Sequence, residues 1–124
     1  MSVPILKQGS ILIASVQSVL SDSDLLQLRD DIAERIGRLR SRGLIIDVTA
    51  LDVLDSFATR TLRDIAAMAR LRGARAVIVG IQPDVAIAMV QLGLTLDGVA
   101  TLLDLEEGLD WLTNERAKDA RDER

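Results

Sequence analysis

The sequence predicts an α/β domain with a mostly parallel central sheet, an antiparallel hairpin at its N-terminal edge and flanking helices. Two continuous apolar segments, residues 44–48 and 76–79, indicate strands that are buried on both faces of a sheet. Segments with apolar residues at helical spacing alternate with those strands, which is the chain order of a layered α/β fold. Right-handed crossovers between such strands then give a parallel sheet.

The N-terminal third predicts a hairpin followed by a helix. Two short apolar segments are separated by Gln-Gly-Ser at residues 8–10, a composition typical of a tight turn. Ser21 and Asp24 then have the spacing of a capping box, which predicts a helix from there to about Arg40. We expect Gly43 to end this helix. Its apolar residues recur along one stripe: Leu25, Leu28, Ile32, Ile36 and Leu39.

A loop and a second helix separate the two buried strands. The loop covers residues 49–55, and the helix begins at Asp55 or Ser56 and continues as far as Gly73. The helical segment contains four arginines and only one acidic residue, Asp64. Such a face is usually only solvated, and the alternative is a docking surface for an acidic partner. The arginines are Arg60, Arg63, Arg70 and Arg72.

The C-terminal part predicts two more helices with a short strand between them. Pro83 stands where the first turn of a helix favours proline. Residues 99–102 predict the last strand, and Asp104 can cap the final helix. We therefore expect a single domain over residues 1–113, followed by a charged and frayed tail over residues 114–124.

Composition excludes several classes of function. The 124 residues contain no Cys, His or Tyr, so zinc sites and hydrolases that pair a nucleophile with histidine cannot be built. The net charge of −4 and the two aromatic residues, Phe57 and Trp111, argue against nucleic-acid binding. No apolar segment approaches the roughly 20 residues of a membrane span. We expect a cytoplasmic protein that is not an enzyme and that needs no cofactor, metal, nucleic acid or membrane.

The loop after the first buried strand is the best candidate for a functional site, because such sites collect at the carboxyl ends of parallel strands. Ser56 lies there, at a helix N-terminus. Its hydroxyl either only caps a backbone N–H or accepts a phosphoryl group, whose charge the helix dipole tolerates. We interpret the neighbouring Asp47, Asp52 and Asp55 as turn and cap residues rather than a magnesium site. Neither of the two lysines lies where a two-component receiver domain needs one.

The helix after Pro83 is apolar on nearly every side, whereas a surface helix normally has a polar face. Either both of its faces are covered within the domain, or one face meets another chain. The second interpretation predicts an assembly interface formed by Val85, Ile87, Met89 and Val90.

The chain carries three specific motifs, at the loop around Ser56 and at two later segments: Leu54-Asp55-Ser56-Phe57, Gly73-Ala74-Arg75 and Val79-Gly80-Ile81-Gln82-Pro83. Together these motifs resemble the STAS-domain family, which has the SpoIIAA-like fold. The resemblance extends from the N-terminal hairpin to the helix that holds Trp111. It is greater to the small single-domain members of the bacterial stressosome than to the anti-sigma-factor antagonists, which continue the acceptor loop with a second serine and a glycine pair.

This resemblance implies a non-enzymatic scaffold and switch in the general stress response. It implies co-assembly with RsbR-type STAS proteins into a large homo- and hetero-oligomer that holds an RsbT-type serine/threonine kinase. Phosphorylation of Ser56 would release the kinase, and an RsbX-type phosphatase would reset the site. The resemblance further implies a kinase-docking loop formed by Asp52, Asp55, Ser56, Phe57, Thr59 and Arg60.

Two other functions stay open. The first is a stand-alone anti-sigma-factor antagonist that is regulated by phosphorylation at the same loop. The second is a small-molecule sensor or an enzyme of an α/β fold, since the fold alone does not fix the function. Within the switch interpretation, Thr59 and Thr95 are weaker candidates than Ser56 for the phosphorylated residue.

Overall fold

The structure, a computed structural model, describes residues 3–122, with side-chain surroundings described for residues 3–114. Strands and helices alternate after an N-terminal hairpin, as predicted. The elements in chain order are β1 (Ile5–Gln8), β2 (Ile11–Ser15), α1 (Asp22–Leu39), β3 (Gly43–Asp47), α2 (Ser56–Leu71), β4 (Arg75–Val79), α3 (Pro83–Gln91), β5 (Ala100–Leu102) and α4 (Leu105–Asp122).

The five strands form one sheet in the order β1-β2-β3-β4-β5. The β1–β2 pair is antiparallel and every other pair is parallel, which confirms the predicted sheet. Each crossover from β2 onward steps to the next strand in the same direction. Right-handed connections of this kind place α1, α2 and α3 on one face of the sheet.

The core lies on both faces of the sheet, which explains why β3 is continuously apolar. Leu44 and Ile46 pack under α1, α2 and α3. Ile45, between them in sequence, points to the other face, where it packs with Leu112 of α4. All three of these β3 residues are fully buried. The sheet therefore holds the loops at its carboxyl edge on a rigid support.

Helix α1 begins as predicted and ends differently. The Ser21 hydroxyl accepts a hydrogen bond from the Asp24 backbone N–H (3.1 Å), and Asp24 reciprocates at the Ser21 N–H, completing the capping box. The prediction that Gly43 ends the helix is wrong, because Arg40 closes it in the left-handed region, at φ 52°. Gly43 instead opens β3, where a Cβ would lie 3.1 Å from Leu112 Cδ1. Close packing against α4, rather than chain termination, explains the glycine there.

Helix α4 begins where the sequence predicted. The Asp104 carboxylate accepts a hydrogen bond from the Glu107 backbone N–H at 2.9 Å, as a capping residue does. The helix then continues to Asp122 and passes residue 113 without a break. The division into a domain over residues 1–113 and a frayed tail stays a prediction, and residues 123 and 124 lie outside the described part of the chain.

Candidate functional site

Ser56 is the first residue of α2, and its side chain is exposed. The preceding residue, Asp55, caps the helix: its Oδ1 accepts a hydrogen bond from the Ala58 backbone N–H at 2.7 Å. Among the side chains at residues 3–114, none makes a hydrogen bond with the Ser56 hydroxyl. The interpretation of Ser56 as only a helix cap is therefore wrong, because Asp55 has that role. The serine hydroxyl stands at the start of the helix with its lone pairs and its proton uncommitted.

Polar contacts hold the loop before Ser56 in place. Asp47 Oδ1 accepts hydrogen bonds from the Thr49 backbone N–H (2.9 Å) and hydroxyl (2.6 Å). From the neighbouring loop, Gln82 Nε2 donates to the Thr49 carbonyl at 2.7 Å. Gly80 has φ +82°, and a Cβ at that position would come within 3.1 Å of Thr49 Cα. The glycine after β4 thus lets the two loops approach, and two of the sequence motifs belong to one structural unit.

Apolar contacts hold the other half of the loop. Leu51 and Leu54 are buried in the core and anchor it, whereas Asp52 and Val53 between them are exposed. The alternation turns a carboxylate and an apolar side chain outward, close to Ser56. The loop thus has a fixed backbone and presents a mixed surface to a partner.

An apolar cleft lies beside Ser56, between this loop and the segment that leads into α1. It has a volume of about 390 Å³ including its open mouth, and we call it the serine cleft. Val19 and Val53 stand at the cleft with 61% and 54% of their surfaces exposed, and Asp55 contributes to its wall. The sequence interpretation missed this cleft. The available signal is the apolar pair that each connecting segment carries, Val19-Leu20 and Val53-Leu54. The other lining residues are Val16, Leu20, Leu25, Val48, Leu51, Leu54, Ala58 and Leu62.

Most of the predicted kinase-docking residues lie at the surface. Phe57 is half-buried, and the exposed residues are Asp52, Asp55, Ser56 and Arg60. Thr59 is only 1% exposed, so its prediction as a docking or acceptor residue is wrong. It lies three residues before the buried Leu62 and shares the inward face of α2. Thr95, the other weak acceptor candidate, is exposed, and its hydroxyl hydrogen-bonds Asp97 Oδ2 at 3.1 Å.

The predicted assembly interface on α3 divides into two faces. Val85 and Met89 are four residues apart and both pack into the core, so their assignment to an interface is wrong. Val90 is 80% exposed and Ile87 is also exposed. We call Ile87 and Val90 the outer face of α3. Val90 also lines an open groove that reaches the exposed Leu103, beyond β5.

The acids around Ser56 do not converge as metal ligands do. Within the part of the chain that the structure describes, no three acidic residues are grouped so that they could hold a metal ion. None of the helices over residues 3–122 combines the length and apolarity that crossing a membrane requires.

Comparisons with known proteins agree with this geometry. The STAS-domain family model matches residues 2–107. A serine-to-glutamate variant of RsbS from Moorella thermoacetica has 39% sequence identity and a TM-score of 0.80, with 93% of this chain and 97% of that chain covered. A chain of a solved structure of the stressosome, titled a signal integration and transduction hub, has 37% identity and a TM-score of 0.75, with 91% and 98% covered.

Among curated proteins, the chain is similar to the RsbT co-antagonist protein RsbRA of Bacillus subtilis (strain 168), with 28% identity over 83 residues. That alignment covers 67% of this chain and only 30% of RsbRA, so the chain spans less than a third of that relative. The anti-sigma factor antagonist SpoIIAA shares the fold, with a TM-score of 0.67 at 13% identity over 92% of this chain and 97% of that chain. The sheet order, the motif positions and the family match lead to one conclusion: the chain belongs to the STAS-domain family and resembles RsbS.

Proposed function

We propose that this chain is a stressosome scaffold and phosphorylation switch in the cytoplasm, which holds an RsbT-type kinase at the surface around Ser56. The observation that carries the proposal is the exposed Ser56 hydroxyl, which is free of hydrogen bonds to residues 3–114 because Asp55 caps the helix. A hydroxyl that capped the helix would lose a stabilising hydrogen bond on modification. Here the modification removes no hydrogen bond to residues 3–114.

The chemistry is phosphoryl transfer from ATP held by the kinase. The Ser56 oxygen bonds to the γ-phosphorus, the bond from that phosphorus to the bridging oxygen breaks, and ADP leaves. The kinase supplies the base that takes the hydroxyl proton. The N-terminus of α2 stabilises the new dianion, since unpaired backbone N–H groups and the helix dipole favour negative charge there.

Release of the kinase follows from charge and volume at the same surface. Phosphorylation adds about −1.5 to −2 charges to a surface that already carries Asp52 and Asp55. A kinase surface that fitted the neutral serine now meets a dianion, and its contacts are weakened. The loop itself stays in place because the contacts of Thr49 do not involve Ser56. An RsbX-type phosphatase resets the switch by hydrolysing the phosphoserine.

Co-assembly with RsbR-type STAS proteins uses a different surface, the outer face of α3. Ile87 and Val90 expose apolar side chains that gain stability when a neighbouring domain covers them. The likeness to a stressosome chain and to RsbRA supports this part of the proposal. Assembly and kinase docking then proceed at separate surfaces, so that one domain can do both.

Phosphosite mapping by mass spectrometry tests the proposal directly. The chain is incubated with an RsbT-type kinase and ATP, and the Ser56→Ala and Thr95→Ala variants are treated in parallel. We expect one phosphate on Ser56 in the parent and in Thr95→Ala, and none in Ser56→Ala. Modification of Thr95 in the absence of Ser56 modification would contradict the assignment.

A binding assay then tests whether phosphorylation of Ser56 releases the kinase. The parent, in complex with an RsbR-type partner, should release the kinase on addition of ATP, and Ser56→Ala should retain it. If both release the kinase equally, the switch is not at Ser56. Binding to an anti-sigma kinase in place of an RsbT-type kinase would instead favour the stand-alone antagonist.

A further inference from the structure

The two ends of α2 differ in charge. At its N-terminal end, the first turn of α1 and the loop after β3 together carry four acids: Asp22, Asp24, Asp52 and Asp55. At its C-terminal end, where β3 and β4 begin side by side, the chain carries five arginines. We call this the arginine end. Its residues are Arg40, Arg42, Arg70, Arg72 and Arg75.

An isolated apolar side chain projects from the arginine end. Leu71, the last residue of α2, has 89% of its surface exposed, between Arg70 and Arg72. Neither of these arginines is in an ion pair with a carboxylate of residues 3–114. The segment therefore presents a single exposed leucine between two exposed arginines, of which Arg72 lies with its guanidinium against Gly37 of α1.

The serine cleft has the complementary composition. Its interior is apolar, with Val19 and Val53 partly exposed at its mouth. Asp55 contributes to its wall, and the exposed Asp52 lies between two of its lining residues. An apolar centre with a charged rim is the normal arrangement of a protein–protein contact. The exposed leucine matches the cleft in apolar character, and the neighbouring arginines are opposite in charge to the carboxylates at its rim.

The distance between the two surfaces shows that the partner must be a second copy of the chain. Ser56 and Leu71 are the first and last residues of the same helix, which at 1.5 Å per residue is about 24 Å long. The leucine of one copy therefore cannot reach its own cleft. It can reach the cleft of a second copy whose α2 begins where α2 of the first copy ends. The dipoles of the two helices are then aligned head to tail, which is favourable.

We propose that Leu71 of one copy enters the serine cleft of a second copy of this chain. The arginines before and after Leu71 in sequence then lie near Asp52 and Asp55 at the rim of that cleft, so this contact and the docking of an RsbT-type kinase compete for the same surface. The contact joins two different surfaces, so each copy in a pair still has one unused surface. Further copies can therefore add at both ends, and the association forms open chains. A contact made by one helix end is small, so we expect it at protein concentrations on the order of 100 µM and above.

Sedimentation velocity tests this proposal without any kinase, so that its failure leaves the proposed function untouched. All proteins carry Val90→Asp, which removes the outer face of α3 as a source of association. The mean mass should rise with concentration and should fall between about 50 mM and about 500 mM salt, because salt screens the charged rim.

Two variants separate the surfaces. Leu71→Asp removes the leucine and places an acid against the acidic rim, and Val53→Lys places a cation at the cleft opposite the arginines. Each variant alone should be monomeric. Their equimolar mixture should form dimers and nothing larger, because it contains one intact leucine and one intact cleft per pair. Leu6→Asp, at an exposed position on β1, is the matched control and should associate like the parent.

Three results would overturn the proposal. The first is a parent that stays monomeric at every concentration. The second is unchanged association of Leu71→Asp or Val53→Lys, and the third is a mixture that stays monomeric although the parent associates. If Leu71→Asp leaves self-association unchanged but, in a chain that keeps Val90, weakens binding of an RsbR-type partner, the arginine end is a surface for that partner and not for a second copy.

Discussion

The loop before Ser56 and the outer face of α3 are both exposed, but they are supported in opposite ways. The loop is held by hydrogen bonds that Asp47 accepts and Gln82 donates, and by two buried leucines, whereas Ile87 and Val90 only project from a helix whose other side is in the core. A fixed backbone with one uncommitted hydroxyl suits covalent modification. An apolar face without a fixed partner suits burial against another chain. Under the proposed function, this difference assigns switching to the loop and assembly to the outer face of α3.

The largest effect we expect breaks the support of the loop. Gly80→Ala should lower the free energy of unfolding by about 3 kcal/mol, since the side chain adds strain at positive φ and pushes Thr49 out of its hydrogen bonds. Chemical denaturation measures the change. Gly9→Ala is the matched control, because Gly9 has φ +61° but nothing within 4 Å of its Cβ position. We expect about 1 kcal/mol there. Equal losses at both glycines would show that the approach to Thr49 is unimportant.

The loop before Ser56 is more predictable from the sequence than the two faces of α3. Its key features are local: Ser56 at a helix start and Asp55 before it follow from the spacing of a few residues. The sheet order likewise follows from alternating segments and right-handed crossovers. The division of α3 into an inner and an outer face is not predictable from the sequence, because the helix is apolar on nearly every side. Only the packing of Val85 and Met89 on the sheet decides it.

Two other errors have similar physical causes. Gly43 follows α1 near the usual place for a glycine stop, but the space for a side chain there is limited by Leu112 of α4, which is remote in sequence. Thr59 was grouped with the exposed loop because it is near Ser56 in sequence, although the helical period turns it inward. At Gly43 a tertiary contact overrides the local interpretation, and at Thr59 the helical period does.

The two faces of α3 provide the second test of the comparison. Val85→Ser should lower the free energy of unfolding by about 2 kcal/mol, since it removes buried methyl groups and buries a hydroxyl. Val90→Ser makes the same change on the outer face, and we expect an effect within about 0.5 kcal/mol. Thermal denaturation of the isolated chain measures both values.

Binding to an RsbR-type partner should be affected more by Val90→Ser than by Val85→Ser, the reverse of their effects on stability. Val90→Ser should weaken binding to an RsbR-type partner, measured by light scattering of the mixture. Val85→Ser, at a temperature where it is folded, should bind like the parent. Loss of binding in Val85→Ser alone would place the assembly surface elsewhere on the domain.

The smallest effect distinguishes two roles of Asp55, the residue before Ser56. Asp55 both caps α2 and adds charge beside Ser56. Asp55→Ala should lower the free energy of unfolding by about 1 kcal/mol, because the Ala58 N–H loses its acceptor. Asp55→Asn keeps an acceptor and removes the charge, so its stability should stay within a few tenths of a kcal/mol of the parent. Both variants should bind an RsbT-type kinase more weakly if that kinase recognises the acid. A normal affinity in Asp55→Asn with a reduced affinity in Asp55→Ala would mean that the kinase requires the ordered first turn of α2, and that the carboxylate matters only as a cap.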